Sequence, residues 1–150
     1  MRTLAIVCLI VISIILVGCN PFDEKTDQII ESATDRAIEI YYDTEQEGTI
    51  KYAITSRSDT DYELGSSFRL EYLDNEEWYV VPFKPRIVSK MVEIQLKKGD
   101  TREFETNLPN LFSNLPDGHY RIIKKVLVVS SYKLTGESFN IAFEFDYPFE

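Results

Sequence analysis

From residue 139 onward the chain alternates without a break. Phe139, Ile141, Phe143, Phe145 and Tyr147 fall on one side, and Asn140, Ala142, Glu144 and Asp146 on the other. Successive side chains of an extended strand point to opposite faces, so a run of this period can bury one face and wet the other only as a β-strand. The same period recurs upstream in Ile38, Ile40 and Tyr42, in Ile50, Tyr52 and Ile54, in Phe68, Leu70 and Tyr72, and in Val92, Ile94 and Leu96. Turn formers stand between the runs: Glu47-Gly48, residues 58–61, Asp74-Asn75-Glu76-Glu77, Lys98-Gly99-Asp100, Pro116-Asp117-Gly118 and Thr135-Gly136. The acidic stretch 74–77 reads as a hairpin tip joining 68–73 to 78–83. No segment after the N-terminus carries a long helical period, an internal repeat or a low-complexity block. Seven or eight short strands with turns at this spacing predict an all-β chain, an antiparallel β-sandwich.

The N-terminus obeys a different rule. Arg2 precedes fourteen uncharged, almost wholly apolar residues, 4–17, and Asn20, Pro21, Asp23 and Glu24 follow at once. Fourteen residues suit the core of a signal peptide, whereas a helix crossing the hydrocarbon layer needs about 20. Leu16-Val17-Gly18-Cys19 resembles the lipobox of a bacterial lipoprotein signal peptide, and that reading ranks above an uncleaved anchor or an ordinary secretion signal. The resemblance implies cleavage after Gly18 and a diacylglyceryl thioether on Cys19, with two or three acyl chains holding the protein stably to a membrane. The expected organisation is a signal peptide over 1–18, the lipidated cysteine and a polar tether over 19–34 with a helical turn near 27–32, and one sandwich over 35–150. Cys8 would leave with the leader and Cys19 would carry lipid, so the folded domain keeps no thiol for a disulfide, a cysteine zinc site or nucleophilic catalysis.

Charge narrows the partners. The chain has 16 basic and 25 acidic residues, a formal −9, and losing Arg2 with the leader makes it −10. Nucleic-acid binding needs a basic stripe, which this balance does not offer. Anionic headgroups are repelled as well, so the lipid on Cys19 is the expected membrane attachment and the extracytoplasmic side of the cell membrane the expected address.

A second resemblance rests on motifs spread over residues 47–126. They are Thr49-Ile50-Lys51-Tyr52-Ala53-Ile54-Thr55, Glu76-Glu77-Trp78-Tyr79-Val80-Val81-Pro82-Phe83, Lys98-Gly99-Asp100-Thr101-Arg102-Glu103-Phe104 and Leu115-Pro116-Asp117-Gly118-His119-Tyr120. Together they resemble the bacterial Ig-like domain family of Gram-positive surface proteins. The resemblance implies a Greek-key sandwich with a tyrosine corner, in which Gly118 takes the turn and the Tyr120 hydroxyl returns to the backbone upstream. Ile122 would stand where an antibody domain has its second cysteine. No activity comes with the family.

Tests for chemistry return little. Gly136-Glu137-Ser138 begins like a nucleophile elbow, but Asn140 replaces its second glycine and the segment reads as a hairpin entering a strand. His119, the sole histidine, reads as an exposed turn residue rather than a base or metal ligand. The stretch from Asp59 to Gly65 spaces its acids like an EF-hand start, yet glycine falls one place late and Leu70 stands where a bidentate glutamate belongs, so a solvated turn is the expectation. The aromatic run Trp78-Tyr79 with Phe83 and the basic Arg86 offers the candidate interface residues: Tyr79, Phe83 and Arg86. The sequence therefore predicts no catalytic residue, no metal and no cofactor. It predicts a lipid-anchored Ig-like binding or accessory module for an unidentified protein or cell-wall component, with a surface inhibitor or immunity-type lipoprotein as the alternative.

Overall fold

A computed structural model describes residues 20–87 and 92–149. Among the described residues nine strands form two antiparallel sheets. The first sheet holds β1 (Ile38–Glu45), β2 (Thr49–Ser56) and β7 (Thr101–Asn107) in the order β1-β2-β7. The second is built around β8 (Gly118–Ser130). One edge of β8 pairs along its length with β9 (Lys133–Tyr147). Its other edge takes β4 (Arg69–Asp74) against residues 120–123 and β3 (Asp61–Gly65) against residues 126–129. The outer strands β5 (Glu77–Val80) and β6 (Glu93–Leu96) pair with β4 and β3 respectively. The chain crosses between sheets after β2, β6 and β7, which gives the Greek-key order in which β2 lies beside β7.

The core sits where the alternation placed it. Ile50, Ile54, Leu64, Leu70, Ile122, Val126 and Ile141 are fully buried between the sheets. Toward the open end, rings continue the packing: Tyr42 stacks on Phe143 (5.0 Å), Phe143 meets Tyr52 (5.1 Å), and Tyr52 stacks on Phe104 (4.9 Å). Burying such rings between two pleated faces supplies most of the drive for a chain without a disulfide in this region.

Nine strands exceed the seven or eight expected, and the extra one is β3. Asp61 and Glu63 made this stretch read as a solvated turn, but Tyr62 and Leu64 between them point into the core, 4% and 0% exposed. The hairpin at 74–77 has the expected two-residue tip, with Asn75 and Glu76 at φ 47° and 67°. Its second strand stops at Val80 rather than running to 83, because Pro82 cannot donate to a ladder.

β3 and β4 act as two halves of one broken strand against β8. Leu64 pairs with Val126 and Arg69 with Ile123, so the outer strand spends two more residues than β8 across the break. The break is closed by Lys124, 2% exposed on the inner face of β8. Its ammonium donates to the carbonyls of Gly65 (2.6 Å), Ser66 (3.3 Å) and Ser67 (2.9 Å) and lies 4.3 Å from the Phe104 ring centre. Backbone acceptors freed by the broken ladder thus receive the donors of one buried amine. Burial pushes that amine down to about 8.

The segment after residue 19 departs most from expectation. Its polar composition predicts a tether that lifts the domain off the membrane, with a turn of helix near 27–32. It lies instead as an extended strap against the second sheet, and the helical turn is a short 3-10 turn at Thr34–Arg36. Val80 N–H donates to Glu24 O (2.7 Å) and Thr26 N–H to Trp78 O (2.9 Å), while Glu31 N–H reaches Asn140 O (2.8 Å) at the opposite edge. Phe22 is 7% exposed and packs edge-on against Tyr72 at 5.6 Å. The backbone of the strap caps an otherwise unpaired edge at β5, a need that its polar side chains do not advertise.

Candidate functional site

The strap crosses the outer face of the second sheet from β5 to β9. Beneath lies an ion pair that composition alone would not place there. Glu71 on β4 is fully buried, and Arg121 on β8, its register partner, is 8% exposed. Arg121 grips one carboxylate oxygen through Nε (2.8 Å) and through Nη2 (2.7 Å). Its guanidinium carbon stands 4.1 Å from the centre of the Trp78 ring. The second oxygen of Glu71 has no hydrogen-bond donor within reach and only the Arg69 guanidinium at 3.5 Å. Next to this cluster, His119 is held between Asp146 (Nδ1, 2.7 Å) and Glu144 (Nε2, 2.9 Å). The Glu144 hydrogen bond, then that of Asp146, raises its pKa. His119 is thus a strand residue flanked by two carboxylates rather than the exposed turn residue expected.

The corner is built as its residues suggest, with one reason added. The Tyr120 hydroxyl donates to Pro116 O at 2.6 Å, four residues upstream. Gly118 is needed both for its backbone angle, φ 157°, and for space, since a Cβ there would lie 2.7 Å from the Tyr72 ring. Ile122 is fully buried in the core.

The candidate interface residues go to three different settings. Tyr79 is half-buried at the fringe of the core, bridges the strap at Lys25 and donates its hydroxyl to Glu77 (3.1 Å). Phe83 stacks on Phe112 at 4.7 Å and meets Phe68 edge-on. Phe83 is still 37% exposed, and Arg86, in a turn at φ 74°, is exposed as well. Cys19 lies outside the described residues.

Ser138 and His119 do not meet. Ser138 pairs with Leu127 and His119 with Asp146, eight residues away along β8, which at about 3.3 Å per residue separates them by roughly 25 Å. Asp59 is tied to Lys98 at 2.6 Å, and Asp61 and Glu63 leave β3 on the outer face. Among the described residues no group of three or more His, Cys, Asp or Glu is placed to hold a metal ion. Glu63 is not the solvated acid expected of this stretch: it is 9% exposed with an unpartnered oxygen, and burial, with Glu93 beside it, raises its pKa. No helix among the described residues is long and apolar enough to cross a membrane.

Two antiparallel sheets, Greek-key crossings and a tyrosine bonded back across its corner define an Ig-like β-sandwich. Residues 33–146 match the family described as Bacterial Ig-like domain. The chain belongs to that family, and the membership points to a non-catalytic extracellular module. No curated protein matches the chain.

Proposed function

We propose that the protein is a lipid-anchored, extracytoplasmic Ig-like module that binds or assists a protein or cell-wall partner and performs no covalent chemistry. One observation carries this reading: the lipobox cysteine stands only three residues before Phe22, which is buried in the sandwich. Three extended residues span about 10 Å, so acyl chains on Cys19 would hold the corner end of the domain directly against the bilayer. The strap then fixes the pose of the domain instead of letting it swing. The opposite end is the β8–β9 hairpin tip, about 40 Å away along the thirteen residues of β8. There Tyr132 is 90% exposed and Leu134 52% exposed. Ser131 and Tyr132 form the two-residue turn at φ 50° and 64° without a glycine, a strained backbone that displays a large aromatic outward. In this reading the tip is the surface offered to the partner, and the phenol is its anchor.

The test compares membrane fractions from cells making the natural protein or Cys19→Ala. The natural protein stays with the membrane after high-salt washing and partitions into detergent. Cys19→Ala is expected to lose that partitioning. A Cys19→Ala chain that partitions as the natural one does would refute the lipid anchor.

A further inference from the structure

A cleft of about 400 Å³ opens on the same outer face, between the strap, the start of β4 and the middle of β9. Phe68, Ile123 and Phe139 supply its apolar lining, and its polar lining comes from Gln28, Ser67, Arg69, Lys125, Ser138 and Asn140. No carboxylate lines it, although the chain carries nine more acidic than basic residues. From this we infer that the cleft is a binding site for a phosphate group, carried as a monoester or diester.

Register brings the two cations together. Arg69 is opposite Ile123, and Lys125 is the next residue on the same face of β8, so their strands place them on a diagonal of about 7–8 Å. Two long side chains at that spacing reach a single small anion. Asn140 is the register partner of Lys125 on β9 and completes the rung. Its amide donates to Gln28 Oε1 (3.1 Å), which fixes the strap as the wall of the cleft.

Of the two cations, Arg69 has one long ion pair, with Glu71, and Lys125 has none among the described residues. Glu71 is already held by Arg121 through two short contacts, and Arg69 keeps only the 3.5 Å approach to its other oxygen. Glu31 and Glu137 are both engaged by Arg36. Lys125 makes no ion pair or hydrogen bond among the described residues, and the hydroxyls of Ser67 and Ser138 make no side-chain bond there. A planar guanidinium, an ammonium and two free hydroxyls around one pocket match the tetrahedral oxygens of a phosphate, which accepts from several directions at once. A polyanionic nucleic acid would also meet the surrounding acidic surface, whereas one small phosphate group enters the cleft alone. The site does not depend on the lipid anchor.

The test titrates sn-glycerol 3-phosphate, with glycerol as the uncharged control, into the full-length protein in uncharged detergent micelles, read by calorimetry and by amide shifts. Saturable binding in the millimolar range is expected, weakened ~10-fold by Lys125→Gln and by Arg69→Gln. Because Arg69 also approaches Glu71, a melt checks that variant, and Lys125→Gln, which disturbs no described bond, decides alone if Arg69→Gln unfolds. Phosphatidylglycerol doped into the micelles separates the two sources. If it displaces glycerol 3-phosphate the group is a lipid headgroup, and if it does not the group is a soluble or wall-borne phosphate. Equal binding of glycerol, no saturation up to about 50 mM, or unchanged affinity in Lys125→Gln would overturn the inference.

Discussion

Replacing Lys124 by methionine should change how stability depends on pH more clearly than it changes stability itself. Methionine keeps the length of the side chain over Phe104 and removes the ammonium that serves three carbonyls of the strand break. Two effects of Lys124→Met therefore oppose each other at neutral pH: three acceptors lose their donor, and a buried charge disappears. The pH profile separates them. Lys124 is pushed from 10.5 to about 8 by burial, so between those values the unfolded chain binds more protons than the folded one. Stability must then rise with pH across that window. Integrating one site with those two pKa values gives a gain of about 2.5 kcal/mol between pH 7 and pH 10. The window closes near pH 10, because burial lifts the hydroxyls of Tyr52 and Tyr120 above the ordinary tyrosine range, and unfolding then releases their protons. Urea unfolding followed by the single tryptophan, Trp78, at unit steps from pH 7 to 10 provides the assay. The difference between wild type and Lys124→Met should shift by that amount in favour of the wild type as pH rises. A difference that stays flat, or that moves the other way, would refute a charged amine buried at the break.

Three further outcomes follow from the corner and the strapped face. Tyr120→Phe keeps the ring but removes the 2.6 Å bond to Pro116, and should cost about 1–2 kcal/mol, a fall of about 3–8 °C in melting temperature by calorimetry. Arg121→Met leaves Glu71 buried with only a long approach from Arg69 and should cost about 3–5 kcal/mol in urea unfolding, while the double variant Arg121→Met, Glu71→Leu should recover most of it. His119 has its pKa raised by Glu144 and Asp146, so its share of stability is whole below about pH 6.5 and is lost as pH rises through the folded value. His119→Gln should flatten that decline in melts between pH 6 and 8.

What could be read ahead of the structure was whatever burial writes into side-chain pattern. The alternation of β9 and of β2 is plain because the inward face carries an unbroken run of hydrocarbon and aromatic rings from Phe139 to Tyr147 and from Ile50 to Ile54. β3 hid because only Tyr62 and Leu64 mark its inner face, while Asp61 and Glu63 look like turn chemistry. Lys124 hid for the opposite reason: it occupies an inward position between Ile122 and Val126, and its partners are carbonyls, which every residue has. The strap was missed because its bonds run through backbone groups of Glu24, Thr26 and Glu31, so its polar composition gave no warning. A lone aromatic in that polar stretch, Phe22, was the available cue. The cleft needed the register itself, since Arg69, Lys125 and Asn140 are far apart in sequence and meet only once β4, β8 and β9 are aligned.

The lipid anchor stands or falls on the state of Cys19. Mass analysis of the N-terminal peptide from protein extracted from membranes should find a chain that begins at Cys19 and carries diacylglycerol on its sulfur. A peptide that begins at Met1, or a cleaved chain whose Cys19 bears no lipid, would contradict the anchor and the fixed membrane-proximal pose that follows from it.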